Sequence, residues 1–168
     1  LSRLSYMDFM SHCRRVVLDF DTGMKLAGPR RLHPSQFGYF CTSETPGGGS
    51  IGITKNLSML TTISTSTEPA PFIKWLLVRG GVMSCDQMTS ETVAISVPVF
   101  VNAGIVGYTL RPQMLRDVLK AMKWTGCLPS TVSVGFSIRD RRVNIFMDEG
   151  RPCRPLIHLR AGGVIPVE

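Results

Sequence analysis

Apolar positions fall into clear helix and strand periods mainly in the second half of the chain, from Pro98 onward. Val99-Phe100-Val101 and Ile105-Val106-Gly107-Tyr108 flank Asn102-Ala103-Gly104, the pattern of a hairpin. Pro112 then opens a helix over Gln113 to Trp124. Met114, Leu115, Val118, Leu119 and Met122 recur at helical spacing, while Arg116, Lys120 and Lys123 stay polar. Thr131 to Ile138 and Val143 to Met147 read as strands joined by Arg139-Asp140-Arg141-Arg142. Asp148-Glu149-Gly150 turns the chain toward a last strand, Arg154 to Leu159. The order strand–strand–helix–strand–strand–strand keeps most contacts local, so the unit from Pro98 is expected to be the more independent one.

The first half is less regular. Residues 4–18 begin as a candidate helix with Leu4, Met7, Phe9, Met10 and Val16 apolar and Ser5 as its cap. Asp19 to Gly28 is polar around the turn Asp21-Thr22-Gly23. Prolines punctuate residues 29–46, and Phe37-Gly38-Tyr39-Phe40 between them reads as a strand. Pro46-Gly47-Gly48-Gly49-Ser50 is a loop, and apolar spacing resumes from Ile51 to Ile63. Glu68 to Val78 is a helix with Pro69 in its first turn, Phe72, Ile73, Leu76 and Leu77 on one face, and Gly80-Gly81 at its end. Residues 82–97 have weak periodicity and read as a boundary. Trp75 and Trp124 fall on helices as packing residues. The fold class is α+β: a mixed first domain followed by a small α/β domain.

Composition adds direction. The chain has 168 residues, 43% hydrophobic and 18% charged, an ordinary globular balance. No apolar run is long enough for a transmembrane helix. It starts at Leu1, not Met, with no signal-peptide pattern, as expected for a piece of a longer chain. The net charge of +7 is uneven. Residues 1–60 carry seven Lys/Arg against four acids, 61–97 two against three, and 98–168 ten against five. Two basic ends fit contact with polyanions through more than one surface. Five cysteines, none in a C-x-x-C, are expected as reduced thiols of an intracellular protein, so the sequon Asn56-Leu57-Ser58 is set aside.

Gly47-x-Gly49-x-x-Gly52 spells the dinucleotide fingerprint, but Pro46 opposes the preceding strand that fingerprint needs, and a flexible turn is expected instead. His12, His33 and His158 lack metal-ligand spacing. Arg14-Arg15, Arg30-Arg31 and Arg139 to Arg142 are the basic clusters, suited to phosphate by the two parallel bonds a guanidinium donates.

A longer pattern goes further. The run from Gly28 through Arg30-Arg31-Leu32-His33 and Glu44-Thr45-Pro46 to Gly52-Ile53-Thr54-Lys55-Asn56-Leu57 resembles the fork region of the second-largest (β-like) subunit of multisubunit DNA-directed RNA polymerase, of eukaryotic, archaeal or large-virus type. Ser11-His12-Cys13-Arg14-Arg15 is similar to the family's S-H-x-R-R. Val99 to Asn102, Arg139-Asp140, Asp148 to Arg151 and Arg154-Pro155-Leu156 resemble the following external module. The resemblance implies a fork domain over residues 1–62, a connecting helix and linker over 63–97, and an external domain over 98–168.

It also implies a nucleotidyltransferase that transcribes DNA, of which this segment forms part of the active-centre cleft and is inactive alone. Arg30, Glu44 and Lys55 correspond to positions near the active centre and incoming nucleotide. Arg14, Arg15, Lys25 and Arg31 are expected to meet nucleic acid, Arg15 beside the hybrid backbone and Lys25 in a fork loop, Asp19 to Ala27. No catalytic residue, bound cofactor or metal ligand is expected here; Mg²⁺ belongs mainly to the largest subunit. The implied partners are that subunit, the rest of the second-largest subunit, template DNA, RNA–DNA hybrid and nucleoside triphosphates, with no membrane. The implied location is intracellular: the nucleus, or cytoplasm and virion if viral. Gly47 stands where the family has an acid, and Thr42 where it has proline. The alternatives are a stand-alone basic nucleic-acid-binding protein with a polymerase-derived fold, and a nucleotide-binding enzyme using the glycine turn.

Overall fold

The structure, a computed structural model, describes residues 1–19, 21, 23–24 and 26–156. The chain divides into two units: Leu1–Thr62 together with the residues from Pro152, and Ile63–Arg151.

In the first unit, Ser5 caps helix α1 (Tyr6–Cys13) by accepting a bond from the Asp8 N–H at 3.1 Å. The helix is shorter than the apolar spacing of residues 4–18 predicts. Arg14 leaves the helical region, and the β-branched pair Val16-Val17 continues as strand β1 (Arg15–Val17). This strand pairs antiparallel with β2 (Thr54–Asn56), Arg15 facing Asn56 and Val17 facing Thr54. The strand expected at Phe37 to Phe40 does not form. Pro34–Gln36 makes a 3₁₀ turn, and Gly38 has a φ of 81°, which no extended run accommodates. Only a bridge from Phe40 to Leu57 remains. Ile53 is the one buried hydrophobic side chain among this unit's described residues, so polar bonds hold much of it. Thr61, for example, is buried and donates to the carbonyls of Gly38 and Tyr39.

The second unit starts within the two-residue strand β3 (Thr62–Ile63) and continues into α2 (Pro69–Val78), where Pro69 occupies the first turn as expected. Residues 82–97 are ordered structure rather than a boundary. They form β4 (Met83–Ser84) and α3 (Ser90–Ile95), the latter closed by a reciprocal Thr89–Thr92 capping box. The hairpin of β5 (Val97–Val101) and β6 (Gly104–Thr109) turns at Asn102 and Ala103, both at positive φ. Helix α4 (Pro112–Trp124), β7 (Ser133–Ser137) and β8 (Arg142–Phe146) follow. The sheet order is β4-β6-β5-β8-β7, with β5 and β8 parallel and the other pairs antiparallel.

Alternation explains the strands: Val97, Val99 and Val101 point inward and meet Val143 and Ile145, while Leu115 and Leu119 of α4 cover them. Phe72, Leu76 and Val82 belong to the same core, and Trp75 packs against it. Trp124 lies at the end of α4, outside this core, and is 67% exposed. The short strand β9 (Pro152–Cys153) precedes the position of the expected last strand. Arg154 to Leu156 is irregular, and residues 157–159 lie outside the described residues.

Candidate nucleic-acid interface

The sequence-predicted residues of the first unit fall into two groups. The first surrounds a groove of about 810 Å³ between α1 and β2, which includes Tyr6, Met10, Arg14, Arg15, Glu44 and Asn56. Arg14 and Arg15 are neighbours at the exit of α1 yet behave oppositely. The Arg14 guanidinium turns inward and donates to the carbonyls of Ser58 at 2.6 Å and Thr61 at 3.1 Å. Arg15 is exposed on β1 and its guanidinium makes no hydrogen bond or salt bridge among the described residues. It acts on Asp8 through charge. The Asp8 carboxyl is held below its ordinary range, first by the Ser2 hydroxyl, then by the Leu4 N–H, and less by Arg15 and His12.

Glu44 is exposed; its carboxylate accepts from the Ser11 hydroxyl, and the Asn56 amide donates to its backbone carbonyl at 3.3 Å. Ser11 and Asn56, which sequence reasoning did not single out as site residues, therefore orient Glu44. Their letters were visible in the S-H-x-R-R and K-N motifs, but neither motif reveals that they meet.

The second group surrounds the glycine turn. Arg30 donates to the carbonyls of Gly49 at 2.6 Å and Ile51 at 3.0 Å. Lys55 is buried, and its ammonium donates to the carbonyls of Gly52 at 2.5 Å and Pro29 at 3.4 Å. A buried ammonium needs such acceptors because desolvation otherwise disfavours the charge. Thr45 adds a third tie, accepting from the Gly52 N–H at 2.9 Å and donating to the Thr54 carbonyl at 3.0 Å. Arg31 is exposed, with no side-chain hydrogen bond or salt bridge among the described residues. Lys25 lies outside the described residues. Strand β2 follows Gly52, where a dinucleotide fingerprint needs a helix N-terminus, so the glycine turn lacks the phosphate cradle of that motif. Among the described residues, no group of three or more His, Cys, Asp or Glu could hold a metal ion.

Comparison with known proteins accounts for both halves of the chain. Residues 1–63 match the family model described as RNA polymerase Rpb2, domain 3, and residues 99–160 the one described as RNA polymerase Rpb2, domain 4. The chain belongs to the second-largest-subunit family of DNA-directed RNA polymerase. It is 34% identical over 157 residues to the DNA-directed RNA polymerase II subunit RPB2 of Encephalitozoon cuniculi, an alignment covering 94% of this chain and 14% of that protein. Against the RNA polymerase III subunit RPC2 of Saccharomyces cerevisiae the identity is 35% over 162 residues, or 96% of this chain and 14% of the relative. Against RPC2 of Drosophila melanogaster it is 37% over 161 residues, or 94% and 14%. The chain thus matches a segment of the polymerase second-largest subunit and spans about 14% of the length of these relatives. Within that family segment, the Arg30–Lys55 ties and the Arg14–Arg15 groove lie in the domain 3 match, and the domain 4 match includes β6, β7, β8 and most of β5 of the five-stranded sheet.

Proposed function

We propose that this segment lines the active-centre cleft of a DNA-directed RNA polymerase and helps hold template DNA, the RNA–DNA hybrid and the incoming nucleoside triphosphate during transcription. The division of labour among its cations is the observation that supports this reading. Arg14, Arg30 and Lys55 donate to backbone carbonyls and so fix the walls of the site. Arg15 and Arg31 are exposed and keep their guanidinium donors available for phosphate. In this arrangement Arg15 meets the hybrid backbone, Arg31 a neighbouring phosphate, and Arg30 with Lys55 sets the turn beside the incoming nucleotide.

Glu44, oriented by Ser11 and Asn56, stands at the same groove as Arg15. Mg²⁺ in the whole enzyme would be held mainly by the largest subunit and would supply charge stabilisation to the reacting phosphate; no metal-dependent step is assigned to this segment. The site of action is the nucleus in a eukaryotic cell, or the cytoplasm and virion for a viral enzyme.

The test uses reconstituted elongation complexes. Arg15→Ala should shorten their lifetime under salt challenge and reduce the salt slope of template affinity by about one unit. It should leave the rate of single-nucleotide addition at saturating template nearly unchanged. Arg141→Ala, on the connection between β7 and β8, and Arg142→Ala, at the start of β8, should change neither quantity. If all three substitutions weaken template binding alike, the arginines form a diffuse electrostatic coat and the assigned roles are wrong.

A further inference from the structure

A second concave surface lies in the other unit, on Ile63–Arg151, and has no part in the reading above. It is a groove of about 350 Å³ between the end of α2, the junction of β6 with α4, and the exposed side of α4. Its floor is apolar. Leu110 and Met114 are 54% and 57% exposed, and Met83 and Val118 continue the surface. Among the described residues two cations flank it, Arg79 and Arg111, and no Asp or Glu lines it. Both arginines are exposed, and neither guanidinium makes a hydrogen bond or ion pair among the described residues.

We propose that this groove is a docking site for an acidic–apolar segment of a separate polypeptide, with an apolar side chain seated on Leu110 and Met114 and carboxylates paired to Arg79 and Arg111. Charge complementarity fixes the sign of the occupant: two available guanidinium groups at the rim of an apolar surface favour carboxylates beside the anchor. Methionine side chains adapt to the shape of such an anchor, which suits a surface that receives a peptide. Gly81, with nothing within 4 Å of where a Cβ would stand, leaves part of one wall without a side chain, so a bound backbone can approach closely. Nucleic acid is the poorer match. A single-strand site combines a basic track with aromatic platforms, and among the described residues this groove has no aromatic residue and only two cations.

The experiment measures fluorescence anisotropy with the full chain. The probe is a short labelled peptide alternating leucine with aspartate and glutamate. Saturable binding is expected, and Arg79→Ala combined with Arg111→Ala should weaken it by about tenfold or more, the loss for charge-assisted contacts. Met114→Gln should weaken it without changing the net charge. Circular dichroism of each variant should match the parent, because the replaced side chains are exposed. A control peptide with serine in place of leucine should bind far less well. No saturable binding of the acidic–apolar peptide overturns the proposal. So does equal binding of the serine control, or tighter binding of a single-stranded oligonucleotide that the same arginine changes abolish. None of these outcomes bears on the elongation-complex test, which reads Arg15 in the other unit.

Discussion

Gly52 shows how tightly single residues are constrained around the glycine turn. Its φ is 70°, and a Cβ placed there would stand 2.3 Å from the Arg30 carbonyl oxygen, a backbone atom with little freedom to move. The constraint is close approach, since Lys55 draws the carbonyls of Gly52 and Pro29 toward one ammonium. Gly47, five positions earlier, is the opposite case, with an ordinary φ of −77° and nothing within 4 Å of where a Cβ would stand. Gly52→Ala should therefore destabilise the chain by about 2 kcal/mol or more, combining left-handed backbone strain with a steric clash. Gly47→Ala should stay within about 0.5 kcal/mol of the parent. Urea unfolding of both variants checks this, and equal midpoints would mean that the turn is not held against Pro29–Arg30. The tolerance at Gly47 also means that the missing acid of the family motif is not excluded by space: the structure has room for a longer side chain there.

At the scale of elements, legibility followed how local the deciding interactions are. The β5–β6 hairpin, α2 and α4 were readable because turn residues, a first-turn proline and apolar spacing all lie within each segment. The end of α1 was not, because β1 exists through pairing with β2, some forty positions away. Phe37 to Phe40 misled for a similar reason: three aromatic strand formers cannot pair regularly around the positive φ of Gly38. In the candidate site, motif letters located Arg14, Arg30, Glu44 and Lys55. Which of them bond to backbone carbonyls became visible only in three dimensions.

The hairpin turn permits a sharper test. Ala103 sits at a φ of 66°, a conformation that costs an L-residue energy, whereas glycine adopts it freely. Ala103→Gly should gain about 0.5–1 kcal/mol, the relief of strain outweighing the extra freedom of the unfolded chain. Asn102 has the same sign of φ, but its side-chain oxygen accepts the Met147 N–H at 2.7 Å. Asn102→Gly should instead lose about 1–3 kcal/mol, because that amide belongs to a buried residue and loses its partner. Chemical denaturation of the two variants separates turn strain from the cross-strand tie; a loss in both would show that the turn itself is unstrained.

For the whole molecule, the distribution of buried apolar side chains decides where stability resides. The hydrophobic core cluster lies entirely between Phe72 and Met147, while Ile53 is the only described buried hydrophobic residue outside it. The apolar periodicity places the start of an independent unit near Pro98, but packing moves it back to Ile63. Phe72, Leu76 and Val82 complete the core beneath the sheet's own residues. At about 1.5–3 kcal/mol for each buried apolar side chain, losing the three approaches the whole stability of a domain, about 5–15 kcal/mol. The ends of this unit are also joined. Ser64 donates its N–H to the Arg151 carbonyl at 2.9 Å and accepts from the Gly150 N–H at 3.1 Å, while the Arg151 side chain reaches Ser133 at 2.7 Å. Limited trypsin digestion of the full chain should accordingly leave a resistant fragment that begins before Lys74 and extends past Arg151, where Pro152 blocks cleavage. Lys74 and Arg79 supply the internal control, since both are exposed in or just after α2 and are cut readily only if that helix opens. Early cleavage at either residue, followed by survival of a fragment starting at Gly80, would show that the sheet and α4 stand without α2. A surviving fragment of the first unit ending at Lys55 would reverse the assignment of stability between the two units.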